Sequence, residues 1–297
     1  MLFLLPIESI KFYFITILEV LLIYPSVNLS VKVINKIKNS GYVHVRVRVI
    51  LFNILFSSLL SFIGSIAYLF SRNIHGNENN FPSLKYIYPI HVTGEVCAGI
   101  NCVALMIERL FSLIFAKFYE HEDNVTFLTF CEIISYSIIY LISVFLNITV
   151  QLSYFAIGCF FLSIILYFVN TYMQKIAFEQ AKEDMRNIVS YSITEMYTIL
   201  ENKKLLPTFL PFLTCFLTYG IINQTALFII NYCTDERYVD LALIIHAVVL
   251  SIKTIITPTL LIIGLKIKSS SPVMEEHMLI ERNRANIHFS LLAMMWS

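Results

Sequence analysis

The sequence contains seven stretches of apolar residues, each long enough to cross a lipid bilayer as a helix. A helix rises about 1.5 Å per residue, so roughly 20 residues cross a hydrocarbon core of about 30 Å. Only helices and closed barrels satisfy all backbone polar groups in lipid, and these stretches are too long and too uniformly apolar for barrel strands. The sequence therefore predicts an all-α membrane protein, a seven-transmembrane helical bundle. The predicted spans are Phe12–Val31, Val49–Phe70, Tyr86–Ile107, Phe127–Leu146, Leu152–Val169, Leu205–Ile230 and Val239–Leu265.

Lys and Arg residues between the spans predict the orientation, because short basic segments resist translocation across the membrane. One side carries 16 of the 21 basic residues and the other carries four, with Lys253 inside a span. This asymmetry places the N-terminus outside and the C-terminus in the cytoplasm. The predicted organisation is a membrane domain over residues 1–268 and a cytoplasmic tail over residues 269–297.

The sequence carries little that is typical of an enzyme or of a nucleic-acid-binding protein. A net charge of +1 gives no reason to expect a nucleic-acid surface. The pair His121-Glu122 would suit a zinc protease, but the second His of that motif is replaced by Val125. The six cysteines show no CxxC spacing. We therefore predict no catalytic residues, no metal site and no cofactor, and membrane lipid as the surroundings of the chain.

Ionisable residues inside the spans are the first candidates for a functional site, because a charge in lipid must be paired or face water. Lys253 is expected to pair with Glu95 in the third span, or with Glu19 in the first span as the second choice. Such a pair would be either a lock between helices or a ligand site. The alternative is that these side chains point into water-filled gaps or extend towards the interface. The candidates are Glu19, Glu95, Asp240, His246 and Lys253.

Other residues in the spans give weaker signals. Proline removes a backbone hydrogen bond, so Pro207, Pro211 and Pro258 are candidate hinges, although membrane helices tolerate proline readily. Glu132 lies little more than one turn inside the predicted cytoplasmic edge, and its side chain is expected to extend to that edge. No functional role follows for Glu132 from the sequence.

Two predicted cytoplasmic segments resemble a known family. Ile107-Glu108-Arg109 is followed by Phe111 and by Phe118-Tyr119-Glu120, and a second motif occupies residues Tyr191–Asn202. Together they resemble the class e serpentine chemoreceptors of nematodes, in the Sra superfamily of G-protein-coupled receptors. Met196 and Thr198 depart from the second motif, which has a basic residue and Gln there. The matching residues of that motif are Tyr191, Ser192, Glu195, Tyr197, Glu201 and Asn202.

The resemblance implies a chemosensory receptor in the plasma membrane of sensory neurons. Its expected partners are a small-molecule cue from outside and a heterotrimeric G protein inside, with Glu108 and Arg109 at the coupling face. Tyr197 and Glu201 are four residues apart, so they share one helix face that is either a docking surface or simply solvated. Asn202 completes the predicted coupling residues. A multi-span transporter or channel is the alternative function.

Overall fold

The computed structural model describes residues 7–39, 44–75, 84–115, 125–186, 193–233 and 236–269. Seven α-helices account for nearly all of these residues, and they are 22 to 40 residues long. The helices are α1 (Ile7–Asn39), α2 (Val45–His75), α3 (Leu84–Ile114), α4 (Val125–Leu146), α5 (Thr149–Arg186), α6 (Ile193–Tyr232) and α7 (Glu236–Ser269).

Each predicted span lies within one helix, and all seven helices are long and apolar enough to cross a membrane. The prediction of an all-helical bundle with seven spans is therefore confirmed. The chain is a multi-pass membrane protein. Helices α5 and α6 also extend well beyond the predicted spans on the side that carries most basic residues. The proposed tail lies outside the described residues, apart from Ser269, which ends α7.

Helix α3 lies in the middle of the bundle and contacts α2, α4, α5 and α6, whereas α7 packs on α1 and α6. The main apolar core forms where α3 meets α5 and α6, and Phe160, Phe212 and Phe216 are fully buried there. Helix α4 is peripheral, and its Phe145 side chain is 77% exposed. In a membrane protein such apolar surface faces lipid, so the polar groups of α3 are screened from the bilayer by its neighbours.

Helices α2 and α3 approach each other very closely because glycines stand at their contact. A Cβ atom on Gly94 would lie 2.5 Å from the Ser61 nitrogen, and one on Gly64 would lie 2.5 Å from the His91 nitrogen. Small residues allow the backbones of membrane helices to pack in this way. The close approach brings the hydroxyl of Ser61 within reach of side chains on α3.

The three predicted hinge prolines, Pro207, Pro211 and Pro258, all lie inside continuous helices. Pro25 in α1 and Pro89 in α3 do the same, although the sequence analysis did not single them out. In each case the helix continues on both sides of the ring, as membrane helices commonly allow. A hinge role at these positions stays a prediction.

Candidate functional site

A buried ion pair between α3 and α7 is the centre of the site. The Lys253 Nζ atom lies 2.6 Å from Glu95 Oε1, and the two side chains are 1% and 6% exposed. The partner that the sequence analysis preferred for Lys253 is therefore the one that contacts it. A single charge buried among apolar helices raises the free energy of the folded state. The opposite charge beside it offsets much of that increase.

Residues of two further helices hold this pair in place. The Ser61 hydroxyl of α2 donates a hydrogen bond of 2.6 Å to Glu95 Oε1. On the other side, the Lys253 ammonium lies 4.1 Å from the ring centre of Tyr219 and 4.7 Å from that of Phe216, both on α6. Aromatic faces attract a cation, so the ammonium is stabilised by α6 as well as by Glu95. The pair thus joins α2, α3, α6 and α7.

Two buried histidines extend the polar cluster. The rings of His91 and His246 meet edge to face with 5.2 Å between their centres. His91 Nδ1 lies 3.0 Å from the Ser61 carbonyl oxygen, so this nitrogen donates a hydrogen. His246 Nδ1 contacts Asn223 Oδ1, and its Nε2 lies 3.2 Å from the Ser65 hydroxyl. His246 therefore has hydrogen-bonding partners on both ring nitrogens. Its ring contact with His91, four residues before Glu95 on α3, places His246 near the ion pair.

We name Glu95, Lys253, Ser61, His91 and His246 the interior cluster. Its charged members and His246 are predicted from the sequence, whereas Ser61 and His91 are not. Ser61 is one of several serines in an apolar stretch, so only its contact with Glu95 distinguishes it. His91 stands four residues before Glu95 on the same face of α3, and this spacing was the available signal.

A second buried cluster surrounds Arg109, at the end of α3 that is predicted to be cytoplasmic. The guanidinium is 0% exposed, with Nε 2.6 Å from Glu108 Oε2 and Nη1 3.2 Å from Glu201 Oε1. The same Nη1 donates to Asn202 Oδ1 at 3.2 Å. Glu201 and Asn202 belong to α6, so the cluster joins α3 to α6 through the two segments of the family resemblance.

Further hydrogen bonds complete this Arg109 cluster. The Glu201 carboxylate also accepts the backbone N–H of His44 at 2.9 Å, immediately before α2 begins. The Asn202 amide donates to the Ser112 hydroxyl of α3 at 2.7 Å. Burial raises the pKa of Glu201 above its ordinary value, although Arg109 and the His44 N–H favour the ionised carboxylate. Glu201 thus ties α6 both to α3 and to the start of α2.

The remaining predicted residues are not brought into these clusters by any described contact. The side chains of Glu19, Asp240 and Tyr197 lie outside the described part of the structure, so the second-choice partner Glu19 and the shared face of Tyr197 and Glu201 stay predictions. Within the described ranges, no group of three His, Cys, Asp or Glu residues is placed to hold a metal ion.

The two clusters lie about 21 Å apart along α3, since Glu95 and Arg109 are 14 residues apart at about 1.5 Å per residue. No protein-family model matches the sequence, and no curated protein is significantly similar to it. The site must therefore be interpreted from its own geometry. That geometry is two buried clusters, each built around an ion pair of α3. Their ion pairs join α3 to α7 and to α6, and hydrogen bonds add α2. Such contacts can stabilise one packing of the bundle relative to another.

Proposed function

We propose that the chain is a G-protein-coupled chemosensory receptor of the plasma membrane of sensory neurons. In this proposal a small-molecule cue from outside biases two arrangements of the bundle, and the cytoplasmic end reports the arrangement to a heterotrimeric G protein. The observation that carries the proposal is the buried Arg109, paired with Glu108 on its own helix and with Glu201 on α6. The two segments that resemble the chemoreceptor family meet at this residue.

The Arg109 cluster suits a switch because its contacts with α6 can be exchanged for contacts with water or with a partner. With α6 against α3, Glu201 neutralises Arg109 and accepts the N–H of His44. If the end of α6 moved away, Arg109 and the start of α2 would face the cytoplasm and could bind an acidic or carbonyl-rich segment of a G protein. The separation would expose charges to water and not to lipid, so the lost pairing is partly replaced by hydration.

The interior cluster suits a cue-responsive element. A ligand that separates Glu95 from Lys253 must satisfy both charges, since an unpaired charge in this region is costly. Separation would release α7 from α3, and α7 packs directly on α6. A contact made at the interior cluster could thus change the position of α6 at the Arg109 cluster.

The proposal is tested by nucleotide exchange on a G protein. Membranes containing the chain and a promiscuous G protein are screened with volatile and water-soluble cues, and a cue-dependent increase in exchange is expected. Arg109→Ala should abolish the increase, because the coupling face loses its cation. Lys175→Ala is the matched control, since Lys175 is an exposed cation on α5. Substrate flux or ionic current in the absence of any G protein, with no exchange for any cue, would instead establish the alternative, a transporter or channel.

A further inference from the structure

The exposed side of α1 ends in a lysine. Tyr24, Val31 and Lys38 are each seven residues apart, so their side chains lie on the same side of the helix. Tyr24 is 77% exposed and Val31 is 46% exposed, and Lys38 is exposed as well. Val33 and Ile37, by contrast, are buried in the bundle. An apolar surface of α1 that faces lipid therefore leads directly to a cation at the predicted cytoplasmic end of the helix.

Helix α2 has the same arrangement where it begins. Arg48, Phe52 and Phe56 are four residues apart, so they lie on one side of α2. The rings of Phe52 and Phe56 stack with 6.4 Å between their centres, and both side chains are half-exposed. Helix α2 packs against α1. Two neighbouring helices thus present apolar side chains to lipid, and each of these surfaces ends in a basic residue on the same side of the membrane.

A hydrogen bond brings the two basic helix ends together. Arg48 Nη1 donates to the carbonyl oxygen of Lys38 at 3.2 Å, which places the guanidinium at the end of α1. The sequence contains no Asp or Glu between Glu19 and Glu78, so neither helix supplies an acid at this end. Within the described ranges, the Lys38 ammonium is not paired with a carboxylate. The result is a concentration of positive charge at the edge of the bilayer.

The position and charge of this surface suit the headgroup of a membrane lipid. The phosphate of a phospholipid lies between water and hydrocarbon, which is the level at which the apolar sides of α1 and α2 give way to basic residues. Ammonium and guanidinium groups both donate charge-assisted hydrogen bonds to phosphate. A headgroup binds at the surface of the bundle, so it needs no closed cavity. Anionic headgroups fit best, because a zwitterionic headgroup brings a cation of its own.

We propose that Lys38 and Arg48 bind the phosphate of an anionic phospholipid of the cytoplasmic leaflet, with its acyl chains along the exposed sides of α1 and α2. The lipid would join the end of α1 to the start of α2. The Arg48 N–H bonds the carbonyl oxygen of His44, whose own N–H is bound by Glu201. The lipid therefore stabilises the helix start that contacts the Arg109 cluster. Binding itself does not depend on coupling to a G protein and is tested without one.

The test titrates phospholipid onto the purified chain in an uncharged detergent and follows the midpoint of thermal unfolding. Dioleoylphosphatidylglycerol, whose phosphate is its only charge, should raise the midpoint with saturation. Dioleoylphosphatidylcholine has the same tails and a zwitterionic headgroup, and it should have a much weaker effect. Lys38→Ala should increase the concentration of phosphatidylglycerol needed for half of the effect about fivefold, the contribution of one basic residue near an anionic surface.

Two control variants show whether the site is specific. Lys38→Arg keeps the cation and should bind phosphatidylglycerol as the wild type does. Lys175→Ala removes an exposed lysine of α5 and should leave binding unchanged. The folding of these variants is not at risk, because the side chains of Lys38 and Lys175 are exposed.

Three results would overturn the proposal. Equal stabilisation by the two lipids would mean that only the tails are bound. Equal effects of Lys38→Ala and Lys175→Ala, including no effect of either, would indicate diffuse attraction between anionic lipid and a basic face. A Lys38-dependent stabilisation of the same size by sodium phosphate without lipid would identify a site for a soluble anion instead.

Discussion

The contact between Glu95 and Lys253 predicts a large energetic coupling. The charged atoms are 2.6 Å apart and the side chains are almost fully buried. Removing one partner of such a pair leaves the other charge buried, which costs about 3–5 kcal/mol. Glu95→Gln and Lys253→Met should therefore each lower the stability of the bundle by about that much. The double variant removes both charges, and replacing a buried pair by uncharged groups is often close to neutral.

A double-mutant cycle measures this directly. The two single changes together should cost about 6–10 kcal/mol, so a double variant that loses about 3 kcal/mol or less gives a coupling energy of at least about 3 kcal/mol, at or above the upper end for residues in contact. Thermal unfolding of the four proteins in one detergent gives the stabilities, with Glu179→Gln as the control for loss of an exposed carboxylate. Additivity of the two single changes within about 0.5 kcal/mol would refute the reasoning, since independent sites add to that accuracy.

The same variants separate a lock from a ligand site. If the pair holds the resting bundle, each single variant should raise nucleotide exchange without a cue, and the double variant should not raise it by the sum of the two. If the pair instead contacts the cue, basal exchange should stay at the wild-type level while the concentration of cue needed for a response increases. Unchanged basal exchange and an unchanged cue response in both single variants would exclude either role.

Three further predictions concern orientation, pH and packing. Tags placed after Met1 and after Ser297 should be reached from outside and from inside respectively in intact cells, because basic residues concentrate on one side; both tags on one side would be incompatible with seven spans. Burial raises the pKa of Glu201, so the folded state binds this proton more tightly than the unfolded chain. The stabilisation from this tighter proton binding by Glu201 is complete below the ordinary Glu pKa of about 4.3. It is lost as the pH rises through the raised pKa of the folded state. Lowering the pH from about 7 to about 5 should therefore raise the unfolding midpoint more in wild type than in Glu201→Gln, and parallel pH profiles would contradict this. Gly94→Ala should lower stability by about 1–3 kcal/mol, because its Cβ would meet backbone atoms of α2 at 2.5 Å. Gly158→Ala, where a Cβ meets nothing within 4 Å, should be neutral or stabilising, and equal effects of the two changes would refute the close helix contact.

The sequence alone determined the class of fold. An apolar stretch of about 20 residues has one stable solution in lipid, since every backbone group must be hydrogen-bonded within the segment. Seven such stretches predict seven helices without any knowledge of their packing. The same solvent argument predicts that Lys253 needs an acid, because an isolated ammonium near the bilayer centre costs about 2.5–3.5 kcal/mol.

Only the tertiary structure decided which residues surround those charges. Ser61 and Tyr219 are uncharged, so no local cost in the sequence marks them as partners of Glu95 and Lys253. Their roles follow from the close packing of α2 on α3 and from the position of α6 beside α7. The buried state of Arg109 also depends on α6, since the basic residue by itself is equally consistent with an anchor at the cytoplasmic interface.

The contact between Glu132 and Asn101 shows what the sequence of a single helix leaves open. The distance of a residue from the end of its own span is set by the sequence, but its level in the bundle depends on how far one helix is shifted along its neighbours. That shift is fixed by side-chain packing between helices, here by contacts such as that between Asn101 and Glu132, and not by hydropathy. The sequence therefore determines which segments enter the membrane, and packing determines which polar groups meet there.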